Sequence, residues 1–240
     1  DYHDGTQWNP IVANTTDFPT YTWASVDDNI SSNVIVRVSD ANNPTVYGES
    51  SSSNKVIIKG SIDLTDPDGA ETLTVGVPFD ITWAKTGSIG NIKIEYSTDD
   101  FASDIRTINA SYAGVSPYPW SPGINDITNQ ENVKVRITSI GGIPVTDKTA
   151  GAFKIVGSIS NVQPSGSSFI WYRGQAKNIT WDQGGNITHV DILYKTAAGD
   201  TFNKTIVLND PGHADGSNFK EINVPDENSE DCWVQVLDHA

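Results

Sequence analysis

The chain has 240 residues, with 15 lysines and arginines against 30 aspartates and glutamates, and its formal charge is −15. This acidic balance excludes nucleic acid as a partner, because such binding depends on lysines and arginines that neutralise phosphates. No apolar run approaches the roughly 20 residues that a membrane-spanning helix needs, and the single cysteine, Cys232, excludes an internal disulfide.

Short stretches of alternating apolar and polar residues follow one another along the chain, and this period of two is typical of β-strands. Clear examples are Val34–Val38, Ile92–Tyr96 and Val133–Ile137. Turn-forming clusters such as Asp66-Pro67-Asp68-Gly69 separate them. Because no stretch of ten residues has a helical period, the sequence predicts an all-β protein.

An internal repeat organises these strands. Ile81-Thr82-Trp83 recurs 98 positions later as Ile179-Thr180-Trp181, and Tyr96 and Tyr194 have the same spacing. Val36-Arg37-Val38 recurs after 99 positions as Val135-Arg136-Ile137, and after another 99 as Val234-Gln235-Val236. A unit of about 98 residues with several short strands is typical of an immunoglobulin-like β-sandwich. The sequence therefore predicts tandem sandwiches.

The spacing divides the chain into three repeats. Residues 1–59 would be the C-terminal half of one unit, and residues 60–157 a complete unit. Residues 158–240 would be a unit without its last strand, the counterpart of residues 152–156. We call these the first, middle and third repeats. Almost no linker surrounds Gly60 and Gly157, so we expect restricted hinges there.

The repeated tryptophans and the unrepeated aromatics lead to different expectations. Trp83 and Trp181 occupy equivalent strand positions, which favours a role in the core over an exposed sugar platform. Trp171, Tyr172 and Trp233 in the third repeat have no aromatic counterparts, so they are candidates for a binding surface.

Two acidic clusters are candidate calcium sites. Asp66, Asp68 and Glu71 place oxygen ligands around a glycine turn, as in part of a calcium loop. The second cluster, at the end of a strand, consists of Asp99, Asp100 and Asp104. The alternative is that both clusters are ordinary solvated turns. The four histidines lack the spacing of a zinc site.

Six asparagines begin Asn-x-Ser/Thr sequons and are candidate glycosylation sites: Asn14, Asn29, Asn109, Asn178, Asn186 and Asn203. The sequence contains no nucleophile elbow, phosphate loop or zinc-protease motif. We therefore predict that the chain is not an enzyme. A high content of small polar residues and the absence of methionine favour an exported protein.

The middle repeat carries a characteristic series of motifs, which are Asp68-Gly69-Ala70-Glu71, Thr74-Val75-Gly76, Ile81-Thr82-Trp83, Ile92–Asp99, Tyr118–Trp120, Val133–Thr138 and Phe153–Ile155. This series resembles the immunoglobulin-like repeats of large bacterial cell-surface proteins, most of all the surface-layer proteins of anammox-type planctomycetes. The resemblance implies a secreted, structural component of a cell-surface lattice that self-associates and contacts cell-envelope glycans, and it offers no catalytic residues. The alternatives are an adhesin or carbohydrate-binding stalk, and a non-catalytic spacer of an exported hydrolase.

Overall fold

The computed structural model describes residues 1–17, 19–51, 53, 55–123, 130–166, 169–211 and 218–239. Within these ranges the regular secondary structure consists of twenty β-strands, and no residue lies in an α-helix. The described part of the chain accordingly has no helix long and apolar enough to cross a membrane.

The strands are short and follow the three repeats. The first repeat contains β1 (Tyr2–His3), β2 (Trp8–Asn9), β3 (Ser31–Ser39), β4 (Tyr47–Glu49) and β5 (Val56–Ile58). The middle repeat contains β6 (Ser61–Asp66), β7 (Thr72–Thr74), β8 (Phe79–Thr86), β9 (Ile92–Ser97), β10 (Arg106–Tyr112), β11 (Tyr118–Trp120), β12 (Gln130–Ser139), β13 (Thr146–Lys148) and β14 (Phe153–Val156). The third repeat contains β15 (Ser158–Gln163), β16 (Ala176–Gly184), β17 (Val190–Lys195), β18 (Lys204–Asp210), β19 (Phe219–Asn223) and β20 (Trp233–Asp238).

Contacts between residues divide the chain into two compact units. The first unit comprises residues 1–69, 80–118 and 134–152, and the second comprises residues 70–79, 119–133 and 153–240. Gly60 and its surroundings lie in the first unit, and Gly157 lies in the second. The repeat boundaries at 59/60 and 157/158 remain predictions from the sequence.

β3 of the first repeat and β12 of the middle repeat are equivalent strands. Each pairs with the neighbouring strands of its own repeat, and the registers of these pairings match. β3 pairs with β1, β4 and β5, and Arg37 lies opposite Glu49. In β12, Arg136 lies opposite Lys148 of β13 and opposite Glu95 of β9. The inward residues of these strands are fully buried, among them Val34, Val135 and Ile137.

In the second unit, the third repeat forms a β-sandwich. One of its sheets has the order β15-β16-β19, and the other has the order β18-β17-β20. Both sheets contribute to a single core, whose buried members are Ile179, Trp181, Ile187, Val190, Ile192, Ile222 and Val236. A sandwich results because the alternating strands bury one face each.

The middle repeat has the same strand order, with β6-β8-β11 in one sheet and β10-β9-β12 in the other. In the immunoglobulin fold, the A, B and E strands likewise form one sheet, while the C and F strands lie in the other. The prediction of an all-β chain of tandem immunoglobulin-like sandwiches is confirmed. Trp83 and Trp181 are both buried, as expected for core residues.

Candidate functional site: the glycine junctions

Gly60 lies where the chain passes from the first repeat to the middle repeat, between β5 and β6. A Cβ atom on this residue would lie 2.6 Å from the Thr86 carbonyl oxygen and 2.7 Å from Ile89 Cγ1. Real Cβ atoms do not come so close to other atoms, so the packing of Ile89 against the backbone requires a glycine. The connection thus packs directly against the turn between β8 and β9 of the middle repeat.

Gly157 makes the same contacts at the start of the third repeat. Its Cβ would lie 2.6 Å from Ile187 Cγ1 and 2.9 Å from the Gly184 carbonyl oxygen. The backbone of each isoleucine is also fixed by a hydrogen bond, which its carbonyl oxygen accepts from a side chain. In both repeats, the donor residue follows a core tryptophan by two positions. The donors are Lys85 Nζ, 3.3 Å from the Ile89 oxygen, and Gln183 Nε2, 3.2 Å from the Ile187 oxygen.

The carboxylate of Asp28 forms hydrogen bonds across the first of these junctions. Asp28 accepts hydrogen bonds from the Ser88 backbone N–H at 2.8 Å and from the Ser88 hydroxyl at 2.6 Å. These bonds lower the pKa of Asp28, and the bond from the Ser88 hydroxyl has the larger effect. Asp28 belongs to the first repeat and Ser88 to the middle repeat, and the adjoining Gly87 adopts a φ of +77°. These hydrogen bonds therefore link the first repeat to the middle repeat, in addition to the covalent connection through Gly60.

Neither junction contains a flexible linker, since only one or two residues separate the strands on either side. A glycine alone would be a hinge, but here each glycine is packed against a buried isoleucine. At Gly60, a change in the relation of the first and middle repeats would break the bonds between Asp28 and Ser88. Both junctions are therefore short and closely packed.

The acidic turn at 66–71 lies between β6 and β7. Asp66 and Asp68 are exposed, and Asp66 Oδ2 accepts a hydrogen bond from the Thr82 hydroxyl at 3.0 Å. The backbone carbonyl of Asp68 accepts a hydrogen bond from the N–H of Gly151, in the loop before β14, and that of Glu71 accepts one from the N–H of Lys154 in β14. This turn is thus fixed at both ends by backbone bonds.

The acidic loop at 97–104 is ordered by its own carboxylates. Asp99 accepts hydrogen bonds from the Ser103 hydroxyl and from the Asp104 backbone N–H, and these bonds lower its pKa well below the usual value. Asp100 forms an ion pair with Lys148 at 2.7 Å, and Asp104 with Arg106 at 3.0 Å. Loop capping and ion pairing are the roles that the structure gives these carboxylates.

Within the described ranges, no three His, Cys, Asp or Glu side chains are grouped so that they could hold a metal ion. Calcium binding by Asp66, Asp68 and Glu71, or by Asp99, Asp100 and Asp104, remains a prediction.

The three aromatic candidates of the third repeat have different surroundings. Trp171 is half-buried and packs against the core of its own sandwich. Tyr172 is largely exposed, and Trp233 is partly exposed beside Lys195, whose Nζ lies 5.1 Å from the Trp233 ring and 5.0 Å from the Phe202 ring. Among the described residues, no ring contact joins any two of the three candidates. A shared binding surface on them remains a prediction.

The sequons fall into two groups by exposure. Asn14, Asn178, Asn186 and Asn203 are exposed. Asn29 and Asn109 are half-buried, and their amide groups donate hydrogen bonds to the hydroxyls of Tyr2 and Tyr118. Glycosylation of all six asparagines remains a prediction.

The structure contains a pair of equivalent arginine sites that the sequence did not predict. Arg37 stacks on Trp8 at 4.0 Å and pairs with Asp1, while Arg136 stacks on Phe101 at 4.1 Å and pairs with Glu95. Glu95 is only 3% exposed, and Lys93 pairs with it as well. The recurrence of arginine after 99 positions was a signal for these sites in the sequence. The aromatic and acidic partners, however, are spaced differently from the arginine in the two repeats.

No protein-family model matches the chain. No curated protein matches it either. Among solved structures, the chain is similar to fibronectin(III)-like modules of CbhA from Clostridium thermocellum, with 13% identity over 68% of this chain and 78% of that one and a TM-score of 0.27. It is also similar to the N-terminal four Ig domains of Dscam1 isoform 6.9, with 9% identity over 85% of this chain and 53% of that one and a TM-score of 0.31. At these TM-scores, the fold assignment rests on the strand order described above.

Proposed function

We propose that the chain is a structural, non-catalytic component of a secreted cell-surface assembly, in which tandem sandwiches form a surface-layer lattice by self-association. The observation that carries this proposal is that Gly60 with Ile89 and Gly157 with Ile187 are built alike. A protein that spans distance and tiles a surface needs repeats held in a constant relation, and two junctions of like construction are consistent with that need. The resemblance to planctomycete surface-layer repeats supports the same role.

The surface chemistry suits an extracellular location. The chain has a formal charge of −15, and four of its sequon asparagines are exposed. An acidic surface keeps repeats apart in solution and makes assembly sensitive to cations that screen or bridge the charge. We propose that cell-envelope glycans and divalent cations are the partners of the assembled form.

Sedimentation of the 240-residue chain in increasing calcium, followed by chelator, tests the proposal. Association that increases with protein concentration and reverses on chelation would support a cation-dependent lattice. Association that persists in chelator would support a lattice that does not depend on calcium. A chain that stays monomeric under every ionic condition would contradict self-association.

The exposure of Tyr172 and the placement of Lys195 between Phe202 and Trp233 favour a second candidate, a carbohydrate-binding stalk. Aromatic rings beside a cation offer both a stacking face and a hydrogen-bond donor. Binding to a glycan array that is lost in Trp233→Ala and Tyr172→Ala would support it, provided that thermal unfolding is unchanged. Trp171→Ala is unsuitable for this test because Trp171 packs against the core.

A further inference from the structure

Two oppositely charged side chains of the third repeat meet within its sandwich. Lys220 Nζ forms an ion pair with Asp210 Oδ2. The Asp210 side chain is only 5% exposed, and the Lys220 side chain is 37% exposed. Because an aspartate is rarely buried to this extent in a protein, the pair is a candidate for chemistry beyond packing.

The strand pairing places both side chains on inward faces. Asp210, the last residue of β18, lies opposite the buried Val190 of β17. Lys220 of β19 lies opposite the buried Ile179 of β16. Residues directly opposite each other in a sheet share a face. β18 and β19 belong to different sheets, so the ion pair connects the two sheets of the sandwich.

The middle repeat has a different residue at the position of Asp210. Ile92 is the counterpart of Val190, because the two residues begin equivalent strands 98 positions apart. Tyr112 lies opposite Ile92 as Asp210 lies opposite Val190. Tyr112 is therefore the counterpart of Asp210.

The counterpart of the lysine is also a tyrosine. The Gly76 N–H donates a hydrogen bond to the Pro122 carbonyl, and the Gly174 N–H donates one to the Val224 carbonyl. The two glycines are 98 positions apart, so the two acceptors are equivalent. Tyr118 precedes Pro122 by four positions, and the lysine precedes Val224 by the same number.

The two tyrosines form an uncharged contact. The rings of Tyr112 and Tyr118 meet edge to face, with their centroids 5.0 Å apart. Replacing a buried ion pair with packed uncharged residues is often neutral or stabilising. Packing at this place in the sandwich therefore does not require the charges of Lys220 and Asp210.

A third position differs between the repeats in the same way. Asp238 of β20 lies opposite Val190 on the other side of β17, so it also belongs to the inward face. Its counterpart Ser139 lies opposite Ile92. The third repeat thus places an amine and two carboxyl groups on its inward faces, where the middle repeat has two phenols and a hydroxyl.

We infer that Lys220 and Asp210 condense to form an intramolecular amide, which links the two sheets of the third sandwich covalently. One proton passes from the ammonium to the carboxylate, and the resulting amine nitrogen attacks Asp210 Cγ. The N–C bond forms, a C–O bond of the carboxyl group breaks, and the departing hydroxyl takes a second proton from the nitrogen to leave as water. Asp238 supplies a carboxylate that can carry this second proton. The reaction needs no oxidant, reductant or other reactant.

Two physical effects favour the amide. The fold holds the amine and the carboxyl group in contact, and well-oriented groups of this kind react with effective molarities of about 10⁵–10⁸ M. The product is neutral, so it replaces two charges whose loss of water opposes burial. The inference does not depend on the proposed lattice.

Mass spectrometry of the 240-residue chain tests the inference. After the chain has folded at neutral pH and has then been denatured, we expect its mass to be lower than the sequence mass by one water. Trypsin should not cleave after Lys220, because the amide removes its charge. The digest should therefore contain residues 205–240 as a single peptide, which is also lighter by one water.

Three variants identify the reacting groups. Lys220→Arg keeps the positive charge but removes the amine, so it should have the full sequence mass. Lys204→Arg is the matched control, since Lys204 forms an ion pair with the more exposed Glu227 at 2.7 Å, and this variant should still lose the water. When each denatured chain is refolded from urea, Asp238→Asn should form the amide about a hundredfold more slowly than the unchanged chain.

The tryptic digest also separates the amide from a succinimide. A succinimide at Asp215-Gly216 would lose one water as well, but it would leave Lys220 open to trypsin and would persist in Lys220→Arg. That pattern would overturn the inference. An unchanged, folded chain that has the full sequence mass and is cleaved after Lys220 would also overturn it, whether or not the Lys220→Arg variant folds.

Discussion

Ile89 packs against the backbone of Gly60 so closely that a Cβ on the glycine would lie 2.7 Å from Ile89 Cγ1, and Ile187 stands in the same relation to Gly157. The two contacts are nearly one repeat apart in the sequence and lie in different compact units. The same geometry therefore arises twice from the same residue types, which is expected if the junction itself has a function.

Replacing either junction glycine with alanine should destabilise the protein. Gly60→Ala and Gly157→Ala each place a methyl group within 3 Å of an isoleucine side chain and a carbonyl oxygen, and we expect a loss of about 1–3 kcal/mol in the free energy of unfolding. Gly199→Ala is the matched control, since nothing lies within 4 Å of its Cβ. Urea denaturation monitored by tryptophan fluorescence measures the three values. Equal stabilities for all three variants would contradict the close packing.

Removing the Asp28 carboxylate should loosen the first junction without unfolding its repeats. Asp28→Ala eliminates both hydrogen bonds to Ser88, whereas Ser88→Ala eliminates only the shorter one. We expect faster independent tumbling of the first and middle repeats by ¹⁵N relaxation, more for Asp28→Ala than for Ser88→Ala. Relaxation rates identical to those of the unchanged protein would show that Gly60 and Ile89 fix the junction alone.

The buried Glu95 should make stability depend on pH. Burial by itself would raise its pKa, but hydrogen bonds and charge from Lys93 and Arg136 outweigh this effect and leave the pKa below the usual value. A carboxylate with a lowered pKa stabilises the fold above its unfolded pKa, about 4.3, and loses that contribution as the pH falls through its folded pKa. We expect Glu95→Gln to cost about 2 kcal/mol at pH 7 and to lessen the acid sensitivity of thermal unfolding. Parallel pH profiles for both proteins would contradict this role.

Glycosylation, if the chain is expressed in a host with an N-linked transferase, should follow exposure. We expect occupancy at Asn14, Asn178, Asn186 and Asn203, and none at Asn29 or Asn109, whose amides are bonded to tyrosine hydroxyls. Peptide mapping by mass spectrometry, after labelling of the modified asparagines during enzymatic deglycosylation, measures each site. Modification of Asn29 in the folded protein would contradict the bond to Tyr2.

The repeat in the sequence predicted most of the fold, because core strands must keep their spacing to keep their register. It did not reveal the counterpart of Tyr96 and Tyr194 in the first repeat. Tyr2 is that counterpart, since it lies opposite Val36 as the others lie opposite Val135 and Val234. It escaped notice because the loops between the paired strands differ in length, and loop length is not constrained by the core.

The junction was predicted only in part. The two glycines without a linker were visible in the sequence, but the packing of Ile89 and Ile187 against them is a tertiary contact that the sequence does not indicate. The contact between Asp28 and Ser88 spans 60 positions, so no local spacing in the sequence indicated it. The acidic residues at 97–104 show a second limit of prediction from sequence. A cluster of carboxylates does not indicate whether Asp99 caps a loop or binds a metal ion.

Electron microscopy of the purified full-length protein and of its source cells tests the central claim most directly. We predict ordered two-dimensional arrays on the cells and in the purified material, with successive sandwiches in a constant relation along each molecule. Arrays that persist in chelator would leave the lattice intact and remove calcium from the account. Isolated flexible rods in every ionic condition, with no array on the cells, would contradict the claim and favour the carbohydrate-binding stalk.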